Sequence, residues 1–178
     1  PDTIVTDVCS LKQFVSKKKR PYKFIPSHPM AGTEHQGFEN SMEGLFKGKK
    51  WVLTPVWGSD ENLVEIITQL GAKVIITTPE KHDEAAALIS HMPMLIAQAI
   101  FKTAQDNELA MQMASSGFRD MTRLAMSNVE MANDMIEMNS DNIQTSILKL
   151  YKSIGDLTNS DYLAQISEIK LNRQSMFL

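Results

Sequence analysis

Residues Ser27 to Pro55 read S-H-P-M-A-G-T-E-H-Q-G-F-E-N-S-M-E-G-L-F-K-G-K-K-W-V-L-T-P, and the plan of the chain follows from how this stretch is bounded. Just ahead of it, Tyr22 to Ile25 is a short apolar run that reads as a strand; at its end, Trp51 to Thr54 reads as another, stopped by Pro55. His28 therefore leaves a strand end for a glycine-containing loop. A side chain placed there is held by a sheet yet open to a ligand, which is where α/β proteins put reactive groups. His28 is the candidate catalytic residue. Within the stretch, Phe38, Met42, Leu45 and Phe46 mark a short amphipathic helix.

Toward the N-terminus, Ile4-Val5-Thr6 is a β-branched run. Leu11, Phe14 and Val15 then recur at helical spacing until Pro21, with Ser10 at the N-cap. Downstream of Pro55, Ser59 is placed to cap a helix whose Leu63, Ile66, Ile67 and Leu70 share a face, with Gly71 just beyond its end. Val74 to Thr77 is the next strand. Strand and helix thus alternate over residues 1–79. At Thr78-Pro79-Glu80 the pattern changes: Thr78 can cap, Pro79 suits a first helical turn, and no convincing strand comes after.

From there a long helix carries Ala85, Leu88, Ile89, Ile96 and Ile100, with a bend expected at Pro93, which lacks an N–H. Ser127 and Glu130 have the capping-box spacing and open a helix with Met135, Ile136, Ile143, Ile147 and Leu150 inward. A last helix starts near Asp161 and carries Leu163, Ile166 and Ile169. The expected architecture is α/β followed by all-α, residues 1–79 and 80–178. The methionines concentrated in the second half read as core or a helix–helix seam, the usual use of that flexible side chain.

With 178 residues and 43% hydrophobic content the chain can bury a real core. Net charge is −3, and the one dense basic cluster, Lys17 to Arg20, falls at an expected helix end, where the macrodipole accounts for it. No nucleic-acid partner is expected. One cysteine, Cys9, and no signal-peptide pattern point to the cytoplasm. The longest apolar stretch, Ala85 to Phe101, is interrupted by Ser90, His91 and Pro93, so no membrane span is expected either. No metal site is expected.

Four runs carry a resemblance: T-D-V-C-S-L-K from Thr6, H-P-M-A-G-T-E from His28, L-F-K-G-K-K-W-V-L-T-P from Leu45, and S-S-G-F-R-D-M-T-R from Ser115. In this order, over nearly the whole chain, they resemble the prephenate/arogenate dehydrogenases. The resemblance implies the later part of a Rossmann-type nucleotide-binding domain followed by a helical dimerisation domain. It also implies a homodimer, NAD or NADP as cofactor, and arogenate or prephenate as the small-molecule substrate of tyrosine biosynthesis. None of the eight glycines forms G-x-G-x-x-G. That loop brings backbone N–H groups to the pyrophosphate. The chain is therefore expected to be a piece of a longer polypeptide, the fragment alone inactive. The alternative is a non-catalytic dimerisation and ligand-binding module of the same descent.

By the same resemblance, His28 takes the substrate hydroxyl proton while Ser10, near both histidine and nicotinamide, orients it. Arg123 grips a substrate carboxylate, with Arg119 and Thr122 assisting. Glu34 is placed to meet the ammonium of arogenate, a preference that charge complementarity would produce. Met94 stands where many members have a second histidine, which leans the expectation toward arogenate. His82 and His35 are expected to be structural or surface residues.

Overall fold

The computed structural model describes residues 3–32, 37–56, 58, 60–159 and 161–176. By contacts the chain divides into two compact units, Pro1–Ile143 and Gln144–Leu178.

All the strands of the described residues lie in the first unit. β1 (Ile4–Thr6) and β2 (Lys23–Ile25) pair in parallel, Thr6 opposite Ile25, joined through α1 (Lys12–Ser16). The chain then passes Pro26 into β3 (Ser27–Pro29), which pairs antiparallel with β4 (Lys50–Leu53), His28 opposite Val52. The ladder is interrupted at Pro26 because proline has no N–H to donate. Its carbonyl still accepts the Thr54 N–H at 2.9 Å. β4 pairs in parallel with β5 (Lys73–Ile76), Trp51 opposite Val74.

α2 (Glu61–Gln69) covers this sheet. Its first amides are served by Asp60, whose carboxylate accepts Asn62 N–H at 2.8 Å. Ser59, expected at that cap, lies outside the described residues. Leu63 and Ile67 are buried with Ile25, Trp51, Leu53 and Ala72, and Phe46 stacks obliquely on Trp51 at 4.8 Å. The inward face of α2 is narrower than the sequence suggests: Ile66 and Leu70 are exposed.

Three expectations for local structure are corrected. The helix expected over Phe38 to Phe46 is only a 3-10 turn, Phe38–Asn40, followed by turns. Gly44, inside that span, has φ of 71°, which no right-handed helix can include. Ser10 does not cap α1; the carboxylate of Asp83 takes the Lys12 and Gln13 amides at 2.8 and 2.9 Å. Such a cap, drawn from a distant part of the chain, leaves no local signal. The helix after residue 127 is capped by Asn128, whose side chain accepts Met131 N–H at 2.8 Å, so the Ser127 box does not form.

The helical part begins with α3 (Pro79–Ala86), capped by Thr78, and continues through a π turn, Ala87–His91, into α4 (Met92–Ala104). Where a bend was expected at Pro93, the widened turn immediately upstream accommodates the missing N–H. Short α5 (Glu108–Met113) and α6 (Ser116–Thr122) lead to a 3-10 turn, Arg123–Met126. α7 (Val129–Met138) and α8 (Ser140–Asn159), expected as one helix, are separated at Asn139. Met94 and Met135 are buried with Ala132, whereas Met113, Met121 and Met126 are exposed.

By length and composition alone Pro79–Ala104 would suffice to cross a bilayer, more than the interrupted stretch Ala85 to Phe101 suggests. It carries buried His82, Asp83 and His91 and packs against α1, α6 and α7. The second unit holds most of α8 and all of α9 (Tyr162–Met176), with Leu148, Tyr151, Ile154, Leu163 and Ile169 exposed.

Candidate active site

A pocket of about 630 Å³ within the first unit is lined by Ser10, His28, His91, Met94, Arg123 and Asn128 among others. Ser10 follows β1, His28 is in the middle of β3, His91 closes the π turn, and Arg123 opens the 3-10 turn after α6. Three sequence candidates, His28, Ser10 and Arg123, thus share one cavity although they lie more than 110 positions apart in the chain at the extremes.

His28 is held by two residues not expected at the site. Its Nδ1 lies 2.9 Å from His82 Nε2, and His82 Nδ1 lies 2.7 Å from Asp83 Oδ1. Burial acts to raise the Asp83 carboxyl. Hydrogen bonds from His82 and from the Lys12 and Gln13 amides outweigh it and hold Asp83 below its usual value, as a carboxylate. An ionised carboxylate accepts, so the proton sits on His82 Nδ1. In the neutral ring His82 Nε2 is then an acceptor and takes the His28 Nδ1–H. His28 Nε2 is left with its lone pair, the state a general base needs.

Burial first, then the electrostatic influence of the neighbouring His82, Lys12 and His91, pushes the His28 pKa down from 6.5 to about 4, with Asp7 opposing. At neutral pH His28 is therefore unprotonated. His91 is lowered as well, chiefly by burial, with Asp83 pulling the other way. Asn139 Nδ2 donates to the Asp83 carbonyl at 2.9 Å and lies 3.1 Å from His91 Nδ1, so the neutral His91 carries its proton on Nε2.

Arg119 and Thr122 lie away from this cavity. They line a separate groove with Phe101, Met111 and Phe118. The Arg119 side chain is 79% exposed beside Asp120, and Thr122 is buried with its hydroxyl donating to the Phe118 carbonyl at 2.7 Å. The fold does not bring these two to the His28 cavity: α6 ends at Thr122, and its helical register is lost where Arg123 begins the 3-10 turn. Glu34 and His35 lie outside the described residues.

His82, expected to be structural or surface, and Asp83, which drew no expectation, are buried at 4% and 2% exposure. One signal was available. His82, Asp83, Ala86 and Ala87 fall on a single face of α3 and the turn after it, so two ionisable groups sit on the stripe that should be apolar.

For a dinucleotide, the residues present fit the reacting end alone. Ser10, just past the C-terminal end of β1 and on the wall of the His28 cavity, occupies the edge at which α/β sheets take their ligands. The glycine-rich pyrophosphate loop is not among the 178 residues.

Comparison with known proteins gives the family. Residues 1–76 match the family model described as "Prephenate dehydrogenase, nucleotide-binding domain", and residues 78–167 the one described as "Prephenate dehydrogenase, dimerization domain". The chain is 34% identical over 155 residues to the prephenate dehydrogenase of Bacillus subtilis, covering 80% of this chain and 42% of that protein. To the cyclohexadienyl dehydrogenase of Zymomonas mobilis it is 28% identical over 184 residues, covering 92% of this chain and 62% of that one. It therefore spans less than two thirds of the length of either relative. Among solved structures, Synechocystis arogenate dehydrogenase aligns at 31% identity and TM-score 0.72, covering 97% of this chain and 66% of that one. Aquifex aeolicus prephenate dehydrogenase, solved with hydroxyphenyl propionate and NAD+, aligns at 28% identity and TM-score 0.80, covering 98% and 68%. With a Rossmann-like nucleotide-binding part followed by a helical dimerisation part, both matched in order, this chain belongs to the prephenate dehydrogenase family.

Proposed function

We propose that the whole protein is an NAD(P)-dependent dehydrogenase that oxidises the ring hydroxyl of arogenate or prephenate, with loss of the ring carboxylate as carbon dioxide. A nicotinamide bound beside Ser10 would supply the hydride acceptor. In the same step His28 Nε2 takes the hydroxyl proton, a transfer commonly worth ~10²–10⁴ in rate. His82 and Asp83 keep that nitrogen unprotonated. Ser10 orients the hydroxyl or the imidazole, and Arg123 offers a planar fork to a carboxylate. The gain in aromaticity makes the step effectively irreversible.

Residues 1–79 act as the cofactor part and 80–178 as the substrate and dimerisation part of a homodimer. The apolar side chains exposed on α8 and α9 favour the latter role. Between the two substrates we favour arogenate. Met94, 3% exposed and on the cavity wall, offers no charge or hydrogen-bond donor to a further anionic group. Glu34 is proposed to meet the ammonium.

The observation that carries this function is that His28, with its tautomer set from behind, shares one cavity with Arg123. The test is formation of reduced cofactor by the full-length protein with each substrate and each of NAD and NADP. We expect turnover with arogenate above that with prephenate, and a loss of at least ~10²-fold in His28→Asn. Near-normal turnover in that variant removes His28 from the role of base.

A further inference from the structure

Lys12 is fully buried in the first turn of α1, an unusual place for an ammonium unless it is paired. Its Nζ donates to Asp7 Oδ2 and to the carbonyl of Ser27, the peptide that leads directly into His28. Asp7 and Ser27 are themselves locked together. Asp7 Oδ1 accepts the Ser27 N–H at 3.0 Å, and Ser27 Oγ donates to the Asp7 carbonyl at 2.6 Å while accepting Trp51 Nε1–H at 3.0 Å. The backbone N–H of the same lysine donates at 2.8 Å to Asp83 Oδ1, the oxygen that also accepts His82 Nδ1–H. Two lines of support for His28, one through its own backbone and one through its ring partners, therefore meet in one residue.

We infer that Lys12 is a positioning residue for His28: its ammonium clamps the Ser27–His28 peptide to Asp7 at the end of β1, and its amide anchors the Asp83–His82 pair that faces the imidazole. The inference takes His28 as the base, but its consequences for the imidazole exist without substrate or cofactor.

The charged and titratable groups around His28 are Asp7 after β1, Lys12 on α1, His82 and Asp83 on α3, His91 in the π turn and Arg123 on the cavity wall. Of these, Lys12 disfavours a proton on His28 and Asp7 favours one. Removing the lysine charge acts on both, since Asp7 is then no longer neutralised, so the His28 midpoint rises. Removing the Asp7 charge lowers it.

The test is a ¹⁵N NMR titration of the four histidines in the chain, assigned by single substitutions. Lys12→Gln keeps an amide able to donate to two oxygens but carries no charge. We expect its His28 midpoint to rise by roughly one pH unit or more, the usual effect of a charge a few ångströms away. Lys12→Arg, which keeps the charge, should leave the midpoint near that of the parent. If Lys12→Gln does not fold, Asp7→Asn decides by moving the midpoint downward. An unchanged His28 midpoint and tautomer in a folded Lys12→Gln, or in Asp7→Asn, overturns the inference and leaves Lys12 a stability element. His28→Asn turnover judges the base role separately, so failure of that role and failure of this one are distinguishable.

Discussion

Replacing Asp83 with asparagine should destabilise the first unit by an amount that can be worked from the contacts. Three donors converge on this carboxylate: His82 Nδ1–H at 2.7 Å and Lys12 N–H at 2.8 Å on Oδ1, and Gln13 N–H at 2.9 Å on Oδ2. Asparagine has one acceptor oxygen. The cheaper orientation leaves that oxygen with His82 and Lys12, so its NH₂ confronts the Gln13 N–H, donor against donor. An unsatisfied buried donor costs about 1–3 kcal/mol, and two remaining bonds that lose their charge assistance bring the total to about 2–4 kcal/mol. For a chain of this size each kcal/mol lowers the Tm by roughly 2–4 °C, so a fall of about 5–15 °C is expected. Circular dichroism melts of parent and variant measure it. Asp83→Ala supplies a second reading. With no acceptor behind His82, both of its tautomers become available, and ¹⁵N shifts should show His28 as a mixture of Nδ1–H and Nε2–H forms. A melt within about 1 °C of the parent for Asp83→Asn, or a single unchanged His28 tautomer in Asp83→Ala, would contradict this account of the carboxylate.

Stability should also fall on mild acidification. The His28 pKa is lowered on folding from 6.5 to about 4, so the unfolded chain binds the extra proton between those values. The contribution is fully present above pH 6.5 and is lost as pH falls through 4, about 3 kcal/mol in all. His91, shifted the same way, adds to the slope, while Asp83 contributes only in a more acid window. Urea midpoints at a series of pH values check this, and a flat profile contradicts it. Truncating Arg123 to alanine should weaken binding of a carboxylate ligand about 10–100-fold, the worth of a charged hydrogen bond, whereas Arg119→Ala should change it less than about twofold. Calorimetry of the two variants side by side distinguishes the arginine on the wall of the His28 cavity from the one outside it.

The alternation of strands and helices up to Thr77 and the helical character of the chain beyond it are written in local periodicity. Leu63 and Ile67 on one face of α2, and Trp51 to Leu53 as a buried strand, needed only their neighbours in sequence. His28, expected in a loop just past a strand end, lies instead within β3, paired opposite Val52, which its local sequence did not show. The pairing of His28 with His82 across 54 positions, the capping of α1 by Asp83 from 70 positions away and the burial of Lys12 at their junction were not legible there. Local pattern encodes which face of an element is apolar. Which polar groups meet once those faces are buried is decided by packing, because a buried donor or charge is stable only where the fold delivers its partner. Arg119 and Arg123 show the same division: four residues apart and both exposed, they were separated by the change from α6 to a tighter turn, which put only Arg123 on the wall of the His28 cavity.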